Sequence, residues 1–274
     1  MRLWPIAITM AAALSGCAAS TTGVRSALSP GARYVALGSS YAAGTGILPM
    51  KPGSAARCGR SSLSYATLLA ARLNLDLVDA SCGGATTAHL LGPWNELPPQ
   101  IDAVTPDARL VTVTIGGNDV GFVMNLMIGS CAPQNGRTCP PLRLGSEADW
   151  AKVESNFREI ARQVHKRAPS ANLVFVDYVS LLPKITLCAA IPLSAAHADS
   201  VRQIAKRLAE INVRVAREEG AQLLKAGELS SSHTPCDKEP WSVGAPKSAP
   251  GAAWHPNAAG HAAIADELAK MLRR

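Results

Sequence analysis

A chain of 274 residues, 47% of them hydrophobic and 17% charged, can fill a core, which excludes an intrinsically disordered protein. Past the first 20 residues no apolar run approaches the roughly 20 residues a bilayer span needs, which excludes a polytopic membrane protein. The net charge of +7 is scattered, with only short pairs such as Lys166-Arg167. No nucleic-acid-binding block is present, and a basic surface of this kind favours an anionic envelope or lipid surface, or belongs to an ordinary secreted domain.

The chain opens with Met1-Arg2 and an apolar run from Leu3 to Leu14, the composition of a secretory signal peptide. Residues 1–16 read as that leader, residues 17–32 as a small, polar, flexible tether, and residues 33–274 as the folded domain. A short buried strand is expected over Tyr34–Leu37, a helix over Leu63–Leu73, a second strand over Leu75–Ala80 and the clearest strand over Leu110–Ile115. Apolar residues at Trp150, Val153, Phe157, Ile160, Ala161 and Val164 predict a helix from Asp149 to Ala168, stopped by Pro169. Further strands are expected at Leu173–Val176 and Ala221–Leu224, with helices over Ala195–Glu219 and Ala258–Leu272. Residues 121–146 and 230–254 read as irregular. Strands alternating with helices predict an α/β fold with a parallel sheet covered on both faces.

Seven cysteines agree with export. Besides Cys17 there are Cys58, Cys82, Cys131, Cys139, Cys188 and Cys236, an even set that points to disulfides, although six cysteines allow fifteen pairings. No C-x-x-C pair occurs, so neither a metal nor a redox site is expected.

In a parallel α/β sheet, ligands bind at the carboxyl ends of the strands. Three strand ends carry glycines beside hydroxyl or amide side chains: Gly38-Ser39-Ser40-Tyr41-Ala42-Ala43-Gly44, Ser81-Cys82-Gly83-Gly84-Ala85-Thr86-Thr87 and Gly116-Gly117-Asn118-Asp119. Trp254-His255-Pro256-Asn257, just before the last helix, adds an imidazole. Singly these signals are weak, because a serine after a strand is usually a helix cap and a lone histidine is usually structural. Together they are the parts of a serine hydrolase site.

Their order resembles the SGNH (GDSL-like) hydrolase family from Tyr34 to Leu272. The resemblance implies a three-layer α/β/α flavodoxin-like sandwich and a serine carboxylic-ester hydrolase that uses no cofactor and no metal. It implies Ser40 as nucleophile, His255 as general base, and an oxyanion hole made by the backbone N–H groups of Ser40 and Gly84 with the Asn118 amide. The cysteine spacing resembles a secreted bacterial branch of the family with three sequential disulfides, Cys58–Cys82, Cys131–Cys139 and Cys188–Cys236. Leu14-Ser15-Gly16-Cys17 resembles a lipobox, which implies a lipid anchor on Cys17 that holds the protein to a membrane outside the cytoplasm.

Two positions depart from the family pattern. The aspartate before the nucleophile is Ser39, and the triad acid three residues before the histidine is Ala252. No carboxylate stands between Glu239 and His255, so a main-chain carbonyl, that of Ala252, is expected to orient the imidazole in a Ser–His dyad. The substrate is expected to be an ester of a lipid, an acylated small molecule or a glycan. The alternatives are a cell-wall polysaccharide O-deacetylase and a catalytically inactive binding lipoprotein of the same fold.

Overall fold

The computed structural model describes residues 28–131, 138–246 and 248–273. The leader, Cys17 and most of the tether lie outside the described residues. Five strands, β1 (Arg33–Gly38), β2 (Asp76–Asp79), β3 (Ala108–Thr114), β4 (Asn172–Val176) and β5 (Gln222–Leu224), form one sheet in the order β2-β1-β3-β4-β5. Every pairing is parallel. β1 and β3 are buried on both faces, so β1 reads as an apolar run, and the two threonines that interrupt β3, Thr112 and Thr114, meet the Tyr34 and Tyr65 hydroxyls at 2.7 and 2.9 Å.

Among the described residues eight α-helices join and flank the strands: α1 (Ser40–Ala43), α2 (Tyr65–Leu73), α3 (Thr87–Leu91), α4 (Phe122–Gly129), α5 (Glu147–Arg167), α6 (Ala195–Glu218), α7 (Ala226–Leu229) and α8 (Ala258–Leu272). The chain runs outward from β1 to β2, then back across β1 to β3 and on to β4 and β5. Right-handed crossovers therefore place α2 on one face and α3, α5 and α6 on the other. α8 returns to pack on α2, which completes three layers. Among the described residues no helix is long and apolar enough to cross a membrane.

The expected elements form, with small shifts at their ends. α5 buries Trp150, Val153, Phe157, Ile160, Ala161 and Val164, and opens on a capping box between Ser146 and Asp149. Burying each large apolar side chain of such a stripe contributes roughly 1.5–3 kcal/mol. The expected irregular stretch 121–146 differs, because its first part is the helix α4. That segment, Phe-Val-Met-Asn-Leu-Met-Ile-Gly, is apolar nearly all round and so shows no helical period.

The disulfides pair Cys58 with Cys82, Cys131 with Cys139 and Cys188 with Cys236. The first ties the loop after α1 to the glycine block, where the Gly83 N–H also donates to the Cys58 carbonyl at 2.8 Å. The third fastens the segment between β4 and α6 to the approach of the histidine loop, and the Ala245 N–H donates to the Ala190 carbonyl at 2.8 Å beside it.

Candidate active site

The order 2-1-3-4-5 puts the topological switch between β1 and β3, where an open parallel sheet leaves a crevice at its carboxyl edge. Ser40 and Asn118 follow those two strands. β1 closes at Gly38, with φ at +143°, where a Cβ would sit 2.4 Å from the Thr114 carbonyl oxygen. Only glycine allows that approach. The Gln100 carboxamide clamps this glycine from both sides: its Oε1 accepts the Gly38 N–H at 2.7 Å, and its Nε2 donates to the Gly38 carbonyl at 3.0 Å. The Ser39 N–H donates to the Thr114 carbonyl at 2.9 Å, and the chain turns at once into α1.

The two serines then diverge. Ser39 is buried and its hydroxyl faces the Tyr178 phenol. The Ser40 hydroxyl lies 2.8 Å from His255 Nε2. A hydroxyl beside an imidazole nitrogen is the geometry of an activated nucleophile. Ser39, the rival in sequence, has no such partner among the described residues.

On the other side of the ring, His255 Nδ1 lies 2.7 Å from the carbonyl oxygen of Ala253. The carbonyl that meets the ring belongs to Ala253 and not to Ala252. The reason is the backbone of Trp254, whose φ of +60° is left-handed and turns the chain so that the carbonyl two residues back meets the ring. Ala252 instead packs against Gly46, where a Cβ would come within 2.5 Å of the Ala252 nitrogen. Such a conformation at a bulky residue needs support from its surroundings. Trp254 is fully buried, its N–H donates to the Val243 and Gly244 carbonyls, and its carbonyl accepts the Tyr41 hydroxyl at 2.5 Å. Below it, Asn257 caps α8 by accepting the Gly260 N–H at 3.0 Å.

Burial holds the His255 pKa below that of an ordinary histidine, and the Ala253 carbonyl only partly offsets it. The ring is therefore neutral at neutral pH, the state in which a histidine can accept a proton. His261 is a different histidine. It is fully buried on α8, accepts the Tyr65 N–H at 2.9 Å, and its pKa is pushed down to about 3 by burial.

The glycine and asparagine blocks are stitched together by neighbouring residues. Asn118 Nδ2 donates to the Ala85 carbonyl at 2.8 Å, which engages one of its two hydrogens and leaves the other for a ligand. Asp119 accepts the Thr87 N–H at 3.0 Å and also the Thr87 hydroxyl, and Asn156 donates to that same hydroxyl at 2.8 Å. Burial raises the Asp119 pKa and the Thr87 donors oppose that rise. Gly84 is left-handed at φ +83°, and among the described residues no acceptor takes its N–H or that of Ser40. Beside Gly84, a cleft of about 320 Å³ is lined by Trp94, Leu97, Pro98 and Gln100. Sequence reasoning missed Gln100, Tyr41 and Ala253. Nothing at positions 41, 100 or 253 marks those contacts, which join segments far apart in the chain.

Residues 36–263 match the GDSL-like Lipase/Acylhydrolase family. The chain belongs to that family. It is a serine ester hydrolase of the GDSL type, and its fold is the SGNH hydrolase fold. It is 30% identical to Lipase 2 of Streptomyces coelicolor, with 87% of this chain and 85% of that protein aligned. Among solved structures it is similar to phospholipase A1 from Streptomyces albidoflavus NA297, with a TM-score of 0.70 and 25% identity over 86% of this chain and 99% of that one. An extracellular lipase of Streptomyces rimosus aligns with a TM-score of 0.68 and 25% identity, over 86% of this chain and 98% of the other.

Proposed function

We propose that this GDSL-type hydrolase is an extracytoplasmic esterase or lipase that cleaves carboxylic esters with a Ser40–His255 dyad in place of a triad. The observation that carries the reading is the line Ser40 Oγ, His255 Nε2, His255 Nδ1 and Ala253 O, with spacings of 2.8 and 2.7 Å at its two ends. His255 Nε2 takes the Ser40 proton as Oγ attacks the ester carbonyl, then returns it to the departing alcohol. Water repeats the sequence on the acyl-enzyme. The Ser40 and Gly84 N–H groups and the free Asn118 hydrogen receive the oxyanion, each such donor contributing roughly 10²–10³ in rate. The Ala253 carbonyl fixes the tautomer, keeping the hydrogen on Nδ1 and the lone pair on Nε2.

The test separates a dyad from a triad closed by a distant acid. His255→Ala abolishes hydrolysis, whereas Asp237→Asn and Glu239→Gln keep kcat/KM within about threefold of wild type. Asp237 accepts the Thr234 N–H and hydroxyl at 2.6 and 2.7 Å, a local turn contact. A fall approaching 10⁴ in either amidated variant, the scale of losing a triad acid, overturns the dyad.

Three disulfides and the leader support export. Leu14-Ser15-Gly16-Cys17 supports lipid attachment at Cys17. Cys17→Ser then moves the protein from the detergent phase to the aqueous phase, and a wild-type protein already in the aqueous phase removes the anchor.

A further inference from the structure

A sizeable cavity lies away from Ser40 and His255. It holds about 560 Å³ between α6 and the segments that follow β4 and β5, and neither Ser40 nor His255 lines it. Its wall toward the catalytic centre is Tyr178, whose hydroxyl accepts the Gly117 N–H at 2.8 Å and whose ring stands 4.6 Å from that of Tyr41. That volume, a mostly apolar lining and a few convergent polar groups are the usual marks of a small-molecule site.

α6 supplies the floor. Val201 and Leu208 are buried there, Ala205 and Ala209 leave the groove open because their side chains are short, and Val213, 44% exposed, stands at the far end. From Val201 to Val213 the helix rises about 18 Å at 1.5 Å per residue. A single lipid acyl chain fills half of a ~30 Å bilayer core, about 15 Å, so one extended chain fits the groove.

The charges on the lining select the head group. Arg202 is spent on the Pro183 carbonyl and Asp199, Lys225 pairs with Glu228 at 2.9 Å, and Lys206 pairs with Glu210 at 3.9 Å. Asp177, pushed up to about 7 by burial, carries at most a fractional charge near neutrality. Lys184 is exposed and has no acidic partner among the described residues. The lining therefore presents an apolar channel with one uncompensated positive charge, which suits a singly charged carboxylate better than a dianionic phosphate.

We propose that this groove is a binding site for one fatty acid of about the length of laurate, separate from the catalytic centre, with the chain along α6 and the carboxylate at Lys184. The site does not depend on the esterase reading, because binding can be measured without turnover. Isothermal titration of laurate, below its micellar concentration, into the full-length Ser40→Ala variant is expected to show one saturable site per chain. Ala209→Trp fills the groove and is expected to abolish that binding. Lys184→Glu is expected to weaken it by about five- to tenfold, the scale of reversing one exposed charge. Wild type phosphonylated at Ser40 by a short phosphonate is expected to bind laurate as Ser40→Ala does.

Absence of saturable binding overturns the proposal, as does unchanged affinity in Ala209→Trp with wild-type Tm. Loss of binding in the phosphonylated enzyme places the acid in the catalytic crevice and overturns it too. If Ala209→Trp loses its Tm, the exposed Lys184→Glu variant decides, and unchanged affinity there overturns the charge-paired site. Failure of the phosphonate to react at all counts against the catalytic reading alone, and the Ser40→Ala titration then judges the groove.

Discussion

Ser40 and His255 are held in opposite ways. Ser40 sits where β1 passes directly into α1, so sheet pairing, a helix start and the Gln100 clamp fix it within a few residues of chain. His255 lies on a loop with no regular structure, joined to its surroundings by an isolated bridge between Ser242 and Pro256, the Tyr41 hydroxyl and the buried Trp254. The difference teaches that a serine at a strand–helix junction can be positioned by local backbone geometry, while an imidazole faced by a main-chain carbonyl depends on packing from distant segments. A carboxylate brings its own charge to the imidazole, whereas a carbonyl brings only a dipole, so its aim must be held by the fold.

The largest effect is expected at the locally fixed end. Ser40→Ala should lower kcat by on the order of 10⁴–10⁶, while Ser39→Ala leaves a measurable fraction because its hydroxyl faces Tyr178 and not the imidazole. Steady-state hydrolysis of a soluble ester decides this, and activity surviving in Ser40→Ala sinks the assignment.

A smaller loss tests how local that end is. Gln100→Ala removes both hydrogen bonds to Gly38, two residues before the nucleophile. Misplacing a reacting group by about 1 Å can cost ~10²-fold, so kcat should fall by up to that factor with KM nearly unchanged. Phosphonylation of Ser40 should slow in parallel. A rise in KM at constant kcat, or a lowered Tm with no change in kcat, shows that Gln100 supports folding and does not position the serine.

The smallest effect concerns the packed end. Burial disfavours the imidazolium, so the His255 pKa lies below the ordinary 6.5. At any pH in the range in which an exposed histidine charges, a smaller fraction of His255 is charged, so more activity is kept there. The acid limb of kcat/KM should therefore have its midpoint below 6.5, and a midpoint at or above that value means that the loop opens to solvent in the working enzyme.

Much of the site was legible because it rests on local rules. Glycines and a serine at the end of an apolar strand mark the β1–α1 junction, and three such strand ends with a late histidine mark a hydrolase whose sheet converges on one edge. Ala253, Gln100 and the Trp254 backbone were not legible, because each acts through contacts between residues far apart in sequence. The helix α4 was hidden for another reason, since apolar residues on all its sides erase the period that reveals a surface helix.

Sequence by itself determined the element order, the α/β class and the even set of cysteines. These follow from hydrophobic period, turn chemistry and residue type, which act over short stretches of chain. Tertiary structure alone decided which carbonyl aims the imidazole, which serine meets it, and that a second cavity opens behind Tyr178. Each of these depends on where side chains meet after the helices have packed on the sheet, and a one-residue change in a loop's turn, such as the left-handed Trp254, shifts the partner from Ala252 to Ala253.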